Sequence, residues 1–110
     1  MKATAPAESS HAILMFSGAI RPHQVYEIED ALNALAQKRR FKVIVDLGQA
    51  EHITSSALGV LARFAELCRR EHGELRLVAT EPGIISLLQV TMLDKVFDVY
   101  ESLGEAEEDF

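Results

Sequence analysis

Short apolar runs alternate along the chain with longer segments whose apolar residues recur every three or four positions. A short run predicts a strand, and the longer spacing predicts a helix with one buried face. Strands are predicted at residues 12–16, 41–47, 75–79 and 96–100, and a helix follows each of them. This alternation predicts an α/β fold: a four- or five-stranded sheet, mostly parallel or mixed, with helices packed against it.

The strand predicted at residues 41–47 carries an almost unbroken apolar run. Such a run is typical of a strand that is buried on both faces of an α/β sheet. Asp46, Gly48 and Gln49 then interrupt the run with turn-forming residues, so we expect the strand to end there. A carboxylate at the end of such a strand can have a functional role, or it can stabilise a turn or cap a helix.

Three hydroxyl residues, Thr54, Ser55 and Ser56, stand where the next helix begins. The residues whose helical spacing predicts its buried face are Leu58, Leu61, Ala62, Ala65 and Cys68. A hydroxyl at a helix start can accept hydrogen bonds from backbone N–H groups that have no partner within the helix. The same hydroxyls stand at the positive end of a helix dipole, which favours an added phosphate. The residues alone therefore leave capping and phosphorylation open.

The other helix boundaries are predicted from residues that favour cap positions. Gly73 suits a left-handed residue after the second helix, and Thr80 suits the N-cap of the third. The inner stripe of the third helix is predicted from Ile84, Ile85, Leu88 and Met92. Ser102, with Glu105 three residues later, predicts a capping box at the start of a final acidic helix.

Composition and charge narrow the class of protein. A length of 110 residues with 48% apolar and 25% charged residues suits one globular domain. The net charge of −6 argues against a nucleic-acid partner, since phosphate binding needs a basic surface. The chain has neither an apolar segment of membrane-spanning length nor a signal-peptide core, so no membrane insertion is expected. With a single cysteine, these features predict a cytoplasmic protein.

Groups for catalysis or metal binding are not arranged along the sequence in a recognisable motif. The four histidines, His11, His23, His52 and His72, lack metal-ligand spacing, so we expect neither a metal nor a cofactor. The chain has no nucleophile elbow, phosphate-binding loop or dinucleotide-binding glycine motif, so we expect no enzymatic activity. Cys68 falls on the apolar stripe of its helix, which favours a core residue over a nucleophile.

The order of elements, with a hydroxyl-led helix after the second apolar strand, resembles the STAS domain of anti-sigma factor antagonists. The resemblance runs from about Ala12 to Leu103 and is most specific at the phosphorylation motif, which in the family reads Asp-Ser-Ser-Gly-Leu-Gly. Residues 54–59 of this chain read Thr-Ser-Ser-Ala-Leu-Gly in its place. Gly18 also falls where the family has a glycine. We therefore expect a STAS domain at residues 12–103, a flexible or edge-strand segment at 1–11, and an acidic tail at 104–110.

By this match Ser55 takes the place of the phosphorylated serine, with Thr54 and Ser56 as the alternative acceptors. The resemblance implies that the partner-binding surface consists of Thr54, Ser55, Ser56, Leu58, Gly59, His52 and Arg21. Three residues depart from the family pattern: Thr54 replaces an acidic residue, Ala57 replaces a glycine, and Arg21 stands where many members are acidic.

The resemblance implies a binding switch without catalysis of its own. The unphosphorylated domain would bind an anti-sigma factor that is also a serine kinase, and phosphorylation of Ser55 by that kinase would release it. A PP2C-type phosphatase would reset the switch, and the domain itself would be a monomer or a weak homodimer. The alternative is a STAS-like accessory subunit of a lipid-transport ABC complex, or a subunit of a stress-sensing assembly.

Overall fold

Four parallel strands lie side by side in the order of the sequence in the computed structural model, which describes residues 11–110. The strands are β1 (Ala12–Ala19), β2 (Lys42–His52), β3 (Glu74–Val78) and β4 (Asp98–Tyr100). The helices are α1 (Val25–Gln37), α2 (Ser55–Arg70), α3 (Pro82–Val90) and α4 (Leu103–Glu107). The α/β prediction is thus confirmed. The proposed edge strand or flexible segment lies almost entirely outside the described residues.

The two faces of β2 pack against different partners, because successive side chains of a strand point to opposite faces. Val43 and Val45 are fully buried in the large cluster that includes the inner residues of α1, α2 and α3. Ile44 is fully buried on the other face, in a smaller cluster with Val78 and Ala106. The prediction of a central strand buried on both faces is therefore confirmed.

The prediction that β2 ends at Leu47 is wrong, because the strand continues to His52. The Asp46 carboxylate accepts a hydrogen bond of 2.8 Å from the Gly48 N–H, so the polar residues stay within the strand. The pairing shifts by one residue here, from Met15 opposite Asp46 to Ser17 opposite Gln49. This is a β-bulge, in which two residues of one strand face one residue of its neighbour.

The left-handed residue after α2 is His72 rather than Gly73, which corrects the predicted cap. His72 has a φ of 65°, whereas Gly73 is not among the residues with positive φ. A glycine is needed at position 73 because there is no room for a side chain: a Cβ there would lie 2.1 Å from the carbonyl oxygen of Phe41. The Phe41 carbonyl accepts the next N–H, from Glu74, at 2.9 Å, so the two chain segments are held in close contact.

Replacing Gly73 by alanine is expected to destabilise the fold, since the added methyl group overlaps backbone atoms that cannot move freely. Overpacking of this kind costs about 1–3 kcal/mol. The matched control is His72→Gly, which relaxes a left-handed residue but adds chain entropy to the unfolded state. Its effect should stay below about 1 kcal/mol. Urea denaturation of both variants measures this, and equal midpoints would contradict the steric role of Gly73.

The boundaries of α3 also differ from the prediction. Its N-cap is Glu81 rather than Thr80, and the Glu81 carboxylate accepts a hydrogen bond of 3.3 Å from the Gly83 N–H. The helix ends at Val90, so Met92 does not extend its inner stripe. Met92 is instead 59% exposed with a φ of 61°. Ser102 caps α4 as predicted, since its hydroxyl accepts from the Glu105 N–H at 3.2 Å. The other half of the predicted capping box, a bond from the Ser102 N–H to the Glu105 side chain, is not formed within residues 11–110.

The last residues of the chain pack on the sheet face opposite α1 and α2. Arg76 of β3, only 9% exposed, donates to the carbonyls of Ala106 at 2.9 Å and Glu108 at 2.7 Å. These bonds satisfy carbonyls at the end of α4 that have no partner within the helix. His11 lies 2.8 Å from a carboxylate oxygen of Glu107 and stacks on Phe110. Residues 104–110, expected as an acidic tail, thus include most of α4 and cover the second face.

Candidate functional site

The loops that follow β1 and β2 lie next to each other at the carboxyl edge of the sheet. The two strands pair to their ends, where Ala19 lies opposite His52. Beyond that pair, the Ile20 N–H donates to the His52 carbonyl at 2.8 Å. The chain then turns at Arg21 on one side and at Thr54 on the other. The fold therefore brings Arg21 to the same edge as the hydroxyl residues that begin α2.

Thr54 is the residue that caps α2. It has extended backbone angles, φ −98° and ψ 159°, and its side-chain oxygen accepts a hydrogen bond of 3.2 Å from the Ala57 N–H. This is the geometry of an N-cap, in which a side chain satisfies a backbone donor of the first turn. Of the roles considered for the three hydroxyls, capping therefore belongs to Thr54.

Ser55 and Ser56 are the first two residues of α2, and both are exposed. Neither hydroxyl makes a hydrogen bond within residues 11–110. The first turn of α2 carries no acidic residue, so the partial positive charge at the start of this 16-residue helix is not offset by a carboxylate of its own first turn. A negative group on either serine would be favourable there.

The remaining residues of the predicted partner surface divide between surface and core. Arg21 and His52 are exposed, as a surface role requires. Leu58 is completely buried and packs in the main core, so its side chain cannot contact a partner in this fold. Gly59 is half-buried, and a Cβ added there would have no atom within 4 Å. No packing within the described chain therefore explains a glycine at position 59.

Two residues with chemically reactive groups have structural roles. Asp46 is 7% exposed, and its carboxylate holds the bulge in β2 through the Gly48 N–H. Cys68 is completely buried among the core residues of α2, and this burial raises the pKa of its thiol to about 12. A thiol with so high a pKa stays protonated near neutral pH and is a poor nucleophile. The prediction that Cys68 is a core residue is confirmed.

Neither a metal centre nor a membrane-crossing helix is found in the part of the chain that the structure describes. Across residues 11–110, no three histidine, cysteine, aspartate or glutamate side chains are grouped closely enough to hold a metal ion. Within the same range, each helix is too short or too polar to cross a bilayer. The exposed hydroxyls at the start of α2 form the candidate site.

A groove between α1 and α2 was not expected from the sequence. The groove has a volume of about 220 Å³, and Val60 and Phe64 form part of its lining together with Arg63 and Arg70. A signal was present in the sequence, since Arg63 and Arg70 are seven residues apart and so share one face of the helix. The groove itself arises only when α1 and α2 pack together.

Similarity to known proteins fits this fold. The candidate anti-sigma factor antagonist BtrV of Bordetella bronchiseptica is 26% identical over 102 residues, which cover 93% of this chain and 88% of that protein. The crystal structure of an anti-sigma factor antagonist from Mycobacterium paratuberculosis matches with a TM-score of 0.85 at 26% identity. That match covers 96% of this chain and 89% of the Mycobacterium chain.

A crystal structure of a candidate anti-sigma factor antagonist from Thermotoga maritima matches the fold with a TM-score of 0.88. It is 21% identical, and the match covers 97% of this chain and 92% of the Thermotoga chain. The family model of the STAS domain matches residues 2–106, which is nearly the whole chain. From this match and the shared fold, the chain belongs to the STAS domain family.

Proposed function

We propose that this protein is an anti-sigma factor antagonist whose binding is switched off by phosphorylation of Ser55. The observation that carries the proposal is the division of roles among the three hydroxyls. Thr54 caps α2, which leaves the exposed Ser55 hydroxyl without a structural task within the described residues. Two relatives that are each 26% identical bear the name of anti-sigma factor antagonists, which supports the partner class.

The proposed partner is an anti-sigma factor that is also a serine kinase. In the unphosphorylated state the start of α2 carries no charged side chain of its own, so it can be covered by a partner at low desolvation cost. Binding would occupy the anti-sigma factor and free its sigma factor. The start of α2 thus supplies an uncharged surface, and the partner supplies the chemistry.

Release follows from a phosphoryl transfer in which this chain contributes only the acceptor. The kinase transfers the γ-phosphoryl group of ATP to the Ser55 hydroxyl oxygen, ADP leaves, and the hydroxyl proton passes to a base of the kinase. The phosphoserine adds about −1.5 to −2 charges in a surface that the partner had covered. A PP2C-type phosphatase would restore the hydroxyl by hydrolysis of the phosphate ester.

Two of the three departures from the family motif change the charge near Ser55. Thr54 caps the helix without a charge, where the family has a carboxylate, so a phosphate on Ser55 would have no like charge at the preceding position. Arg21 lies on the neighbouring loop with an exposed cationic side chain, where many members are acidic. We therefore expect the surface of the partner that faces Arg21 to differ in charge from that of partners whose STAS domain is acidic at this position.

Ser55, rather than Ser56, is expected to accept the phosphate. Candidate kinases from the same genome are incubated with this protein and ATP, and the modified residue is located by peptide mass mapping. Ser55→Ala should abolish incorporation, while Ser56→Ala, the matched control, should retain most of it. A phosphate that still appears in Ser55→Ala and maps to Thr54 or Ser56 would show that the assignment is wrong.

A further inference from the structure

Tyr26 is the most exposed aromatic side chain of residues 11–110. Its exposed fraction is 74%, and it makes neither a hydrogen bond nor a ring contact within that range. Tyrosine is enriched at protein–protein interfaces, because its ring offers a large apolar area while its hydroxyl is compatible with water. Single exposed apolar residues are nevertheless common on protein surfaces, so the position of Tyr26 decides whether its exposure matters.

Tyr26 lies in the first turn of α1, on the face of this helix that borders α2. It precedes Glu29 by three residues and Asn33 by seven, and both of these line the groove between the two helices. Residues at such spacing share one face of a helix. The Cα–Cβ bonds of a helix tilt toward its N-terminus, so the side chain of Tyr26 extends toward the carboxyl edge of the sheet, where α1 and α2 both begin.

The start of α2 borders the same groove from the other side. Ser56 precedes Val60 by four residues and Arg63 by seven, and both of these line the groove. Tyr26 and Ser56 therefore lie on the two sides of the groove at its end on the carboxyl edge. Ser55 directly precedes Ser56, so the proposed phosphate acceptor and the exposed ring belong to the same part of the surface.

The other large apolar side chains that are exposed within residues 11–110 lie elsewhere. Val90 and Met92 lie at the end of α3, which returns to the opposite edge of the sheet, and Val99 lies in β4, two strands away from β2. Of these exposed side chains, Tyr26 alone is next to the candidate site.

A kinase that modifies Ser55 has to cover this part of the surface. The acceptor oxygen must come within about 3–3.5 Å of the phosphorus atom that is transferred. A specific interface covers about 800 Å² on each partner, which corresponds to a patch with a radius of roughly 16 Å. Packed helices lie about 8–10 Å apart, so a patch of this size centred on Ser55 includes the start of α1 and Tyr26.

Charge does not select the partner at this end of the groove. Glu27 and Glu29 of α1 are negative, whereas Arg63 of α2 and Arg21 of the loop before α1 are positive, and all four are exposed or line the groove. Since the two signs offset each other, the feature that distinguishes this surface is the apolar ring of Tyr26.

We propose that Tyr26 anchors the kinase-type partner, and that its ring enters an apolar pocket of this partner beside the kinase active site. This inference rests on the proposed function, because it adds a residue of another helix to the same interface. A tyrosine ring suits this role, since it buries a large area while only two side-chain torsions become fixed. Such aromatic side chains in desolvated pockets carry a large share of the binding energy of an interface.

The test uses the full-length protein and the kinase that phosphorylates it in the mapping experiment above, with calorimetric affinities, phosphorylation kinetics and thermal melts. Tyr26→Ala should weaken binding by about 10-fold or more. The KM of the kinase for this protein should rise by a similar factor while kcat stays within about 2-fold, because the ring lies away from the transferred group. The melting temperature should be unchanged or slightly higher, since Tyr26 is exposed and alanine has the higher helix propensity. Equal affinities of wild type and Tyr26→Ala would overturn the proposal.

Two control variants test the position and the chemistry of the contact. Val90→Ala truncates an apolar side chain that is 81% exposed at the opposite edge of the sheet, so it should alter the affinity by less than about 3-fold. If it weakens binding as much as Tyr26→Ala does, the loss is not specific to the site and the anchor is refuted. Tyr26→Phe keeps the ring and should also stay within about 3-fold of wild type. A loss as large as that of Tyr26→Ala would show that the partner recognises the hydroxyl, and the apolar pocket would be wrong.

The outcomes also distinguish the anchor from the phosphorylation switch. If Tyr26→Ala binds the kinase as tightly as Val90→Ala does, while Ser55→Asp loses binding, the anchor is overturned and the switch stands. If Tyr26→Ala loses binding and Ser55→Asp keeps it, the anchor stands and the switch fails. A wild-type dimer in sedimentation that Tyr26→Ala dissociates, with kinase affinity unchanged, would assign the ring to a contact with a second copy and overturn the proposal.

Discussion

Leu61→Ala is expected to lower the free energy of unfolding by about 2–5 kcal/mol. Leu61 is completely buried, and it lies in the same cluster as Val43 and Val45 of the central strand. Truncation removes buried apolar surface and leaves a cavity that a small, close-packed core cannot fully close. The measurement is the urea midpoint at constant slope, followed by fluorescence or circular dichroism.

The control for this prediction lies five residues later on the same helix. Glu66 is exposed on the outer face of α2, so Glu66→Ala removes no core contact and should change stability by less than about 0.5 kcal/mol. If both variants unfold at the wild-type midpoint, α2 does not pack through the face that contains Leu61. If Glu66→Ala alone is destabilising, the inner and outer faces of α2 are exchanged.

The buried faces of the helices were predictable because they follow from the regular spacing of apolar residues along the chain. The recurrence that predicts the inner face of α2 is confirmed for Leu58, Leu61, Ala65 and Cys68, which are all buried, whereas Ala62 is half-buried at its edge. The same holds for the central strand, whose unbroken apolar run indicates burial on both faces. Such patterns depend on the local chain alone, so one sequence is sufficient to read them.

The end of the central strand was not predictable from residue types. Asp46 and Gly48 favour turns on average, yet here the Asp46 carboxylate bonds the Gly48 N–H and the pair forms a bulge inside the strand. Pairing with β1 continues on both sides of the bulge, and tertiary contacts of this kind override local preference. This longer strand carries the start of α2 to the same edge as Arg21.

Gly73 illustrates a different limit of prediction from the local sequence. A glycine after a helix is read as a left-handed residue, because that is its commonest reason to be there. In this chain His72 takes the left-handed conformation, and Gly73 is required by the Phe41 carbonyl, which lies on a segment 32 residues earlier. A steric requirement set by a distant segment leaves no mark in the local sequence.

The structural roles of the hydroxyls in the candidate site were not resolved by the sequence. The sequence puts three hydroxyls at the start of α2, and only the backbone geometry shows that Thr54 is the cap. Leu58 was assigned to both the core and the partner surface, but in the structure it is completely buried and belongs to the core alone. The groove beside α2 required the packing of two helices, which periodicity cannot supply.

Ser55→Asp is expected to keep the fold and to lose the partner. Because Thr54 provides the cap, the substitution removes no hydrogen bond of the described structure. A carboxylate in the first turn interacts favourably with the helix dipole by about 0.3–1 kcal/mol, so the melting temperature should stay at or slightly above the wild-type value. In the bound state the same charge is covered and unpaired, which costs about 2–5 kcal/mol, or roughly 30-fold or more in affinity.

Ser55→Ala provides the matched comparison, since it removes the acceptor without adding charge. It should bind the kinase as the wild type does, yet stay bound when ATP is added, whereas the wild-type complex should dissociate. Calorimetric affinities and thermal melts of the three proteins test this. Equal affinity of wild type and Ser55→Asp would contradict the switch and favour an accessory-subunit role that needs docking without phosphorylation. A collapsed melting temperature in Ser55→Asp would instead mean that position 55 is structural, because an exposed carboxylate in the first turn is favourable to the helix that it begins.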